Sequence, residues 1–415
     1  MDRLATGRSL RRVSGHSRHP YTCFRVQRLP LGLNATESSA VILRPKPAAR
    51  RYTVLLPLGG LCCLLVAGLA VFALHAGHRA RYPPTSLIGA PTVAEPSIAV
   101  RGNHLVNSNG QVVALHGVDI SGTQWQCLYG HAFYGPSNSA SIAAMAAWHI
   151  NAVRIPLNED CWLGINGVRM GAHAYRKAIR EYIHRLRTHG LYAILDLHWA
   201  APGTILSHIG AGFEGFFEMA DESHAPAFWA SVASYFKDDD SVLFDLFNEP
   251  NDISWSCWRN GCIAPRGYQT AGMQQLVDAV RATGATQPVM VAGLEDAAEA
   301  GKAWLENRPT DPAGQLVASV HVYGQSGVNR FAANIGIVAA QFPVIVGELG
   351  EMNCADDGLN TFLPWADSHG VSYLAWAWFI GGCASYPSLI SNYNGTPTNF
   401  GLGYREHLLA KFPAP

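Results

Sequence analysis

From residue 98 onward, short runs of consecutive apolar residues alternate with longer stretches in which apolar positions recur every three or four residues. The runs are "VALHGVDIS", "AVRIPLN", "YAILDLHW", "VLFDLFNE", "PVMVAG", "LVASVHVYG", "PVIVGELG" and "YLAWAWFI". Apolar on both alternating faces, they read as strands buried on two sides. Stretches such as "SIAAMAAWHI", "YRKAIREYIHRLRTHG", "AFWASVASYFKDD", "YQTAGMQQLVDAVRATG" and "RFAANIGIVAAQF" read as amphipathic helices. A fifth helix is expected near 296–307 and an eighth near 402–411. Ahead of them, "IAVRGNHLVNSNGQVV" predicts a hairpin turning at Ser108–Gly110. Eight strand-and-helix units in about 310 residues predict an α/β fold, a closed (β/α)8 TIM barrel over 98–415. A doubly wound open sheet is the alternative. It usually carries a Gly-rich phosphate loop after its first strand, and "SGTQWQCLYG" is not one.

The pattern changes before residue 98. Residues 53–74, "TVLLPLGGLCCLLVAGLAVFAL", form 22 positions without a charge, enough for a helix to span a bilayer. Residues 1–52 are basic and rich in Arg, Ser, Pro and Gly, as expected of a disordered tail. Positive charge preceding the apolar segment predicts a cytoplasmic N-terminus and a barrel outside the cell membrane. A cleaved signal peptide, which would make the barrel a secreted protein, is the competing reading, since Val71 and Ala73 suit a cleavage site. Residues 75–97, with "RYPPTS" and "APTVAEPS", read as an extended linker.

Net charge is zero for the whole chain, but its distribution is uneven. Residues 1–51 hold eleven Lys and Arg against Asp2 and Glu37. Residues 82–415 hold 28 acids against 17 bases, a net of −11. An acidic globular part excludes nucleic-acid binding. Of nine cysteines, six follow the apolar segment: Cys127, Cys161, Cys257, Cys262, Cys354 and Cys383. An even set in an exported domain predicts disulfides, with Cys257–Cys262 closing a short loop. A zinc site is the alternative, but there is no Cys-x-x-Cys pair and no histidine at ligand spacing.

In a barrel the C-terminal ends of the strands open into one bowl. There the runs become polar: Arg154 on the second, His198 on the third, Asn248 and Glu249 on the fourth, His321 and Tyr323 on the sixth, Glu348 on the seventh. Trp376 and Trp378 end the eighth. Singly, each has a plain structural explanation as a rim or core residue; six strands ending this way point to a site. Two carboxylates aimed into one cavity suit glycoside hydrolysis, one as proton donor and one as nucleophile. A divalent metal site is the competing chemistry, but metal sites recruit more carboxylates or a His-x-His pair. Tryptophan beside carboxylate suits a sugar face. Trp125, Trp162, Trp199, Trp255 and Trp258 stand in or near loops after strands.

"NAVRIPLNEDCW", "LDLHW", "LFDLFNEP", "VHVYG", "VIVGELG" and "YLAWAW", in this order, resemble the signature strands of glycoside hydrolase family 5, the cellulase-like retaining barrels, over about 99–411. The resemblance implies that Glu249 is the acid/base and Glu348 the nucleophile. It implies that Arg154 and Tyr323 keep Glu348 ionised and oriented, and that Asn248 binds the sugar 2-hydroxyl. His198 and His321 would line the sugar site and Trp376 would be its stacking floor; Trp378 follows by strand alternation. Asp160 and Trp162 are candidates for a subsite, or for plain packing of the rim. Pro250 would stop the strand by removing a backbone donor. No metal or organic cofactor is expected. The partner would be a β-linked polysaccharide or oligosaccharide, cut by a monomeric enzyme. A catalytically silent glycan-binding barrel, or a glycosidase for an unusual envelope glycan, is the alternative. On a barrel, Cys127 and Cys161 fall in the loops after the first two strands, and Cys354 and Cys383 in those after the last two. They are expected to pair as Cys127–Cys161 and Cys354–Cys383.

Overall fold

The computed structural model describes residues 95–207, 217–324, 328–383 and 386–415. The basic tail, the apolar 53–74 segment and the linker up to residue 94 lie outside the described residues. Among the described residues, no helix is long and apolar enough to cross a membrane.

An antiparallel hairpin, β1 (Ala99–Arg101) and β2 (His104–Val106), comes first. It turns at Gly102-Asn103 rather than at Ser108–Gly110, because Gly102 accepts the left-handed conformation a two-residue turn demands, with φ +63. The Ser108–Gly110 stretch makes a second reversal, closed by an Asn107 to Gln111 backbone bond and a Val106–Val112 bridge.

Eight parallel strands follow: β3 (His116–Asp119), β4 (Ala152–Asn158), β5 (Tyr192–Trp199), β6 (Val242–Asp245), β7 (Val289–Ala292), β8 (Leu316–Tyr323), β9 (Val344–Gly350) and β10 (Ser372–Ala375). β10 pairs with β3 and closes the barrel. The period-two alternation is visible in the packing. Ala152, Tyr192, Ile194, Leu243, Met290, Val317, Ile345 and Leu374 point inward and meet Ile98 and Leu105 of the hairpin segment, which plugs the bottom of the barrel. Val153, Ile155, Ala193, Leu195, Leu197, Val242 and Phe244 point outward into the layer shared with the helices.

The helices cover this outer layer. Ala172–Thr188, Ala225–Phe236 and Met273–Arg281 lie close to their expected positions, and Asp357–Ser368 adds a helix whose position was not read from the sequence. The fifth is shorter than expected, Gly301–Asn307, because Glu295, Asp296 and Ala297 all take positive φ, which a right-handed helix cannot contain. The last runs over Asn399–Lys411, with the Thr398 side chain accepting from Gly401 N. Four tryptophans of the outer layer are fully buried, and each indole N–H is satisfied. Trp229 donates to Leu246 O, Trp258 to Ala292 O, Trp304 to Val291 O and Trp162 to Ser231 Oγ. Trp162 and Trp258 are therefore core residues, and Trp255 packs on Trp258.

The paired part of β6 ends at Asp245, earlier than the expected Asn248-Glu249. Leu246 N still donates to Met290 O and Asn248 N to Leu197 O, so the extended chain continues to the rim without a regular ladder. Pro250 therefore does not end the strand. All three disulfides occur as expected: Cys127–Cys161, Cys257–Cys262 and Cys354–Cys383, each in loops that follow strands.

Candidate active site

Inward alternation along β4 carries Ala152 in the apolar floor and Arg154 one layer above it. The same step on β3, β5 and β6 brings Asp119, Asp196 and Asp245 to that layer, so one fully buried guanidinium meets three buried carboxylates. Arg154 Nη1 donates to Asp119 Oδ1 (3.1 Å) and Glu348 Oε1 (2.8 Å), and Nε donates to Asp245 Oδ2 (3.0 Å). Its Nη2 donates to Asn248 Oδ1 (2.8 Å) and lies 3.1 Å from Asp196 Oδ1. One positive charge cannot compensate four carboxylates in a dry interior, so some of them hold protons. Burial pushes Asp119 well above the usual carboxylate range against the pull of Arg154, with Glu348 and Asp196 adding to the rise. Asp245 is pushed up to about 7, by burial first and by Asp196.

Glu348 owes its direction to a bulge. Across β8, Val346 pairs with Val320 and Glu348 with His321; across β10, Val346 pairs with Tyr373 and Leu349 with Ala375. Both registers contain one extra residue in β9, and it turns Glu348 inward where strict alternation from Ile345 would point it out. Gly347 makes the close approach possible, since a Cβ there would stand 3.1 Å from Ser319 Oγ and 3.3 Å from His321 Nε2. Above Arg154, the Tyr323 hydroxyl donates to Glu348 Oε2 at 2.6 Å. His321 Nδ1 lies 3.0 Å from Glu249 Oε1 and 3.7 Å from Glu348 Oε2. One atom each from Glu249, His321 and Glu348 fall within 4.8 Å of one another. The two glutamates thus present carboxylate oxygens to one another across less than 4.8 Å, with His321 between them.

Their surroundings differ. Burial raises Glu348, but His321, Arg154, His198 and the Tyr323 hydroxyl outweigh it and hold the carboxyl down at about 2. Both of its oxygens already have protein donors. His321 is held above the usual imidazole range by Glu348 and Glu249, against the effect of burial. Glu249 is half-buried and touches only His321 among these groups. Near it stands Asp296, raised to about 6 by burial and by Glu249, Glu295 and Asp252.

These groups line an open cleft of about 850 Å³. Asn248, Glu249, His198, Tyr323, Glu348 and Trp376 all reach it; Arg154 and His321 lie just beneath. His198 Nδ1 is 2.6 Å from Asp196 Oδ2, and the imidazole stacks parallel to Trp376 with centroids 5.4 Å apart. Aromatic contacts continue from Trp376 through Tyr386, Phe379 and Tyr134 to Trp125 and Tyr129, and of these Tyr386, Trp125 and Tyr129 line the cleft. Trp199 also lines the cleft.

Trp378 does not line it. The ladder ends at Ala375; Ala377 N then donates to Pro387 O and Trp378 N to Asp119 O, so alternation stops after Trp376. Trp378 is buried in the outer core against Trp148. Asp160 and Trp162 are buried too. Asp160 accepts from Ser207 N and Asn166, and Trp162 packs on Phe228, which makes them rim packing.

The Cellulase family model (glycosyl hydrolase family 5) matches residues 106–382. The chain belongs to glycosyl hydrolase family 5. Among its family-5 relatives, Endoglucanase CelA of Streptomyces lividans is 22% identical over 304 residues, covering 70% of this chain and 58% of that protein. Mannan endo-1,4-beta-mannosidase of Salipaludibacillus agaradhaerens is 25% identical over 292 residues, 67% of this chain and 80% of that protein. The chain spans 58% of CelA and 52% of Endoglucanase E-5 of Thermobifida fusca, little more than half of either. In fold, the beta-glucanase SdGluc5_26A of Saccharophagus degradans superposes with a TM-score of 0.60 at 20% identity, over 76% of this chain and 94% of that one.

Sequence reasoning missed Asp119, Asp196, Asp245, Asp296 and Tyr386. A signal for the first three was present: each is a lone acid inside an apolar run, which a buried strand tolerates only beside a cation.

Proposed function

We propose that this chain is a retaining glycoside hydrolase, endoglucanase-like, that cleaves a β-linked polysaccharide or oligosaccharide. The observation that carries the reading is the pair of glutamates: one oxygen of each lies within 4.8 Å of the other, which supports the close spacing, about 5–5.5 Å between carboxyl groups, that retaining chemistry uses. Glu348, held ionised by Arg154 and Tyr323, attacks the anomeric carbon. Glu249 gives its proton to the departing glycosidic oxygen, and the C–O bond breaks as the glycosyl ester forms. Glu249, now a carboxylate, takes a proton from water. That water attacks the same carbon from the face the leaving group vacated, and Glu348 departs as a carboxylate. Two inversions leave the original configuration.

The remaining residues support these steps. Asn248, held by Arg154, presents its amide to the sugar 2-hydroxyl. Trp376, backed by His198, offers its face to a ring, and the aromatic wall continues that surface for neighbouring sugars. A cleft of about 850 Å³ stands near the upper end of the ~300–1,000 Å³ usual for small-molecule pockets, which suits several sugar rings. A β-glucan or a mannan is the favoured substrate, in keeping with the names of the relatives. Tethering by residues 53–74 with the barrel outside the cell is part of the proposal and rests on the apolar run and the basic tail.

The test is hydrolysis of a panel of β-glucans, mannans and xylans by wild type, Glu249→Gln and Glu348→Gln, with the anomer of the first product read by NMR. Release with retention by wild type, reduced by orders of magnitude in both variants, is expected. Inverted product, or near-normal release by either variant, overturns the mechanism. Tight binding without release on every glycan would instead make this a silent glycan-binding barrel.

A further inference from the structure

A second carboxylate cluster lies outside the cleft lining. Glu159 opens the short helix Glu159–Leu163 directly after β4. Asp221 belongs to the segment between β5 and the helix Ala225–Phe236, and His224 is the residue before that helix. Glu159 is fully buried and Asp221 is 1% exposed, while the His224 side chain is 23% exposed. One donor atom from each falls within 4.8 Å of the others. His224 Nδ1 is 3.5 Å from Asp221 Oδ1 and 3.8 Å from Glu159 Oε1.

The hydrogen bonding of this cluster is incomplete. Among the described residues, both oxygens of Glu159, Oδ2 of Asp221 and Nδ1 of His224 are buried without a well-formed hydrogen bond, although Glu159 interacts with the Asp221 carboxyl and the Ala201 backbone. Leaving one such group bare costs about 1–3 kcal/mol, and more when it is charged. Asp221 Oδ1, by contrast, is fixed by Ser223 Oγ (2.5 Å) and His224 N (2.9 Å), so the cluster is held in place from behind.

We propose that Glu159, Asp221 and His224 form a divalent-cation site, best matched to Zn²⁺, that ties the end of β4 to the start of the helix Ala225–Phe236. Imidazole with two carboxylates is a zinc-type donor set, whereas Ca²⁺ takes six to eight oxygens. Bonds of about 2.0–2.1 Å in a tetrahedron put neighbouring donors ~3.4 Å apart; His224 Nδ1 lies 3.8 Å from Glu159 Oε1, and one donor atom of each of the three residues lies within 4.8 Å of the others, so binding requires the carboxylates to close in on the ion. His224, whose side chain is 23% exposed, is the solvent-facing corner of the site. The role is structural. The site joins two loops beside the Cys127–Cys161 disulfide, and Asp221 also bridges Thr270 before the next helix.

The test uses the untagged full-length chain, stripped with a chelator, dialysed, and titrated with Zn²⁺ while bound metal is counted by mass spectrometry. One equivalent of Zn²⁺ is expected, with a Tm rise of roughly 5 °C at a hundred-fold excess over Kd. Glu159→Gln and Asp221→Asn, which relieve the charge without changing shape, should lose the metal and the Tm response. Glu249→Gln should keep both, which separates this site from the catalytic pair. His224→Ala, at the exposed corner, serves if a buried variant fails to fold. Co²⁺ should give the absorption of a tetrahedral centre. No zinc on the wild type with a Tm indifferent to chelator overturns the proposal. So does zinc retained in the Glu159→Gln, Asp221→Asn double variant, or retention of Ca²⁺ in place of Zn²⁺.

Discussion

Tyr323→Phe isolates one of the groups that hold Glu348 ionised. The substitution keeps the ring and deletes only the hydroxyl that donates to Glu348 Oε2 at 2.6 Å. A hydrogen bond to a charged group contributes about 1.5–3 kcal/mol. At ~1.36 kcal/mol per pKa unit this is about 1–2 units. Glu348 should therefore rise from about 2 to ~3–4, short of its ordinary 4.5 because Arg154 still donates to Oε1. The acid limb of kcat/KM, followed on a soluble β-glucan with wild type and variant in parallel, should shift upward by that amount. The same difference should appear in folding. A carboxylate with a depressed folded pKa stabilises the protein above its unfolded pKa and loses that contribution as pH falls through the folded one. At pH 6 the variant should be less stable by about 1.5–3 kcal/mol in urea unfolding, and the gap should close as pH drops towards 2. An acid limb that stays in place would refute the reasoning, even if the neutral rate falls, because Tyr323 would then orient Glu348 without stabilising its charge.

The two strand-eight tryptophans should separate cleanly: Trp376→Ala should cut kcat/KM by at least ten-fold with little change in Tm. Trp378→Ala should cost about 3–5 kcal/mol of stability by emptying a core site, which thermal unfolding beside the kinetics will read. Asp245→Asn addresses pH and stability. Its folded pKa of about 7 lies above the ordinary 3.8, so its contribution is present below 3.8 and lost as pH rises through 7. Wild-type stability relative to Asp245→Asn should accordingly decline between pH 4 and 7, and a constant difference over that range would count against a buried, protonated Asp245. Among the disulfides, removing Cys127–Cys161 (separation 34) should cost about 3–4 kcal/mol and Cys257–Cys262 (separation 5) about 2, from loop-closure entropy. Equal losses would show that loop length does not govern them.

Much of this was legible in the sequence because a parallel barrel writes itself as apolar runs with polar ends. Arg154, His198, Asn248, Glu249, His321, Tyr323, Glu348 and Trp376 all converge as expected. What was hidden depends on events that period-two reasoning cannot see. The bulge at Gly347 is one: alternation counted from Ile345 would have put Glu348 on the wrong face. The departure of the backbone from the ladder after Trp376 is another, and it sends Trp378 into the core. The partners of Arg154 were hidden for a different reason. Asp119, Asp196 and Asp245 are isolated acids on three strands, and only the barrel's stagger brings them to one height. Trp162, open in the sequence to either a subsite or plain rim packing, and Trp258, placed only near a loop after a strand, have indoles that serve buried acceptors on neighbouring elements.

The three disulfides among the described residues lie on the side of the barrel where the strands end, two of them joining neighbouring loops and Cys257–Cys262 closing a turn within one, while at the opposite end Ile98 and Leu105 pack against the inner apolar layer. Tolerance to sequence change is therefore divided by height. Beneath Arg154, each position answers to the other strands around a closed ring and drifts only in concert with them. At the rim, the loops after β3 and β4, and those after β9 and β10, are tied in pairs by a covalent bond, so their tips can lengthen, shorten or change composition while their bases stay in register. New specificities can be tried there one loop at a time, against a reaction centre that does not register the experiment.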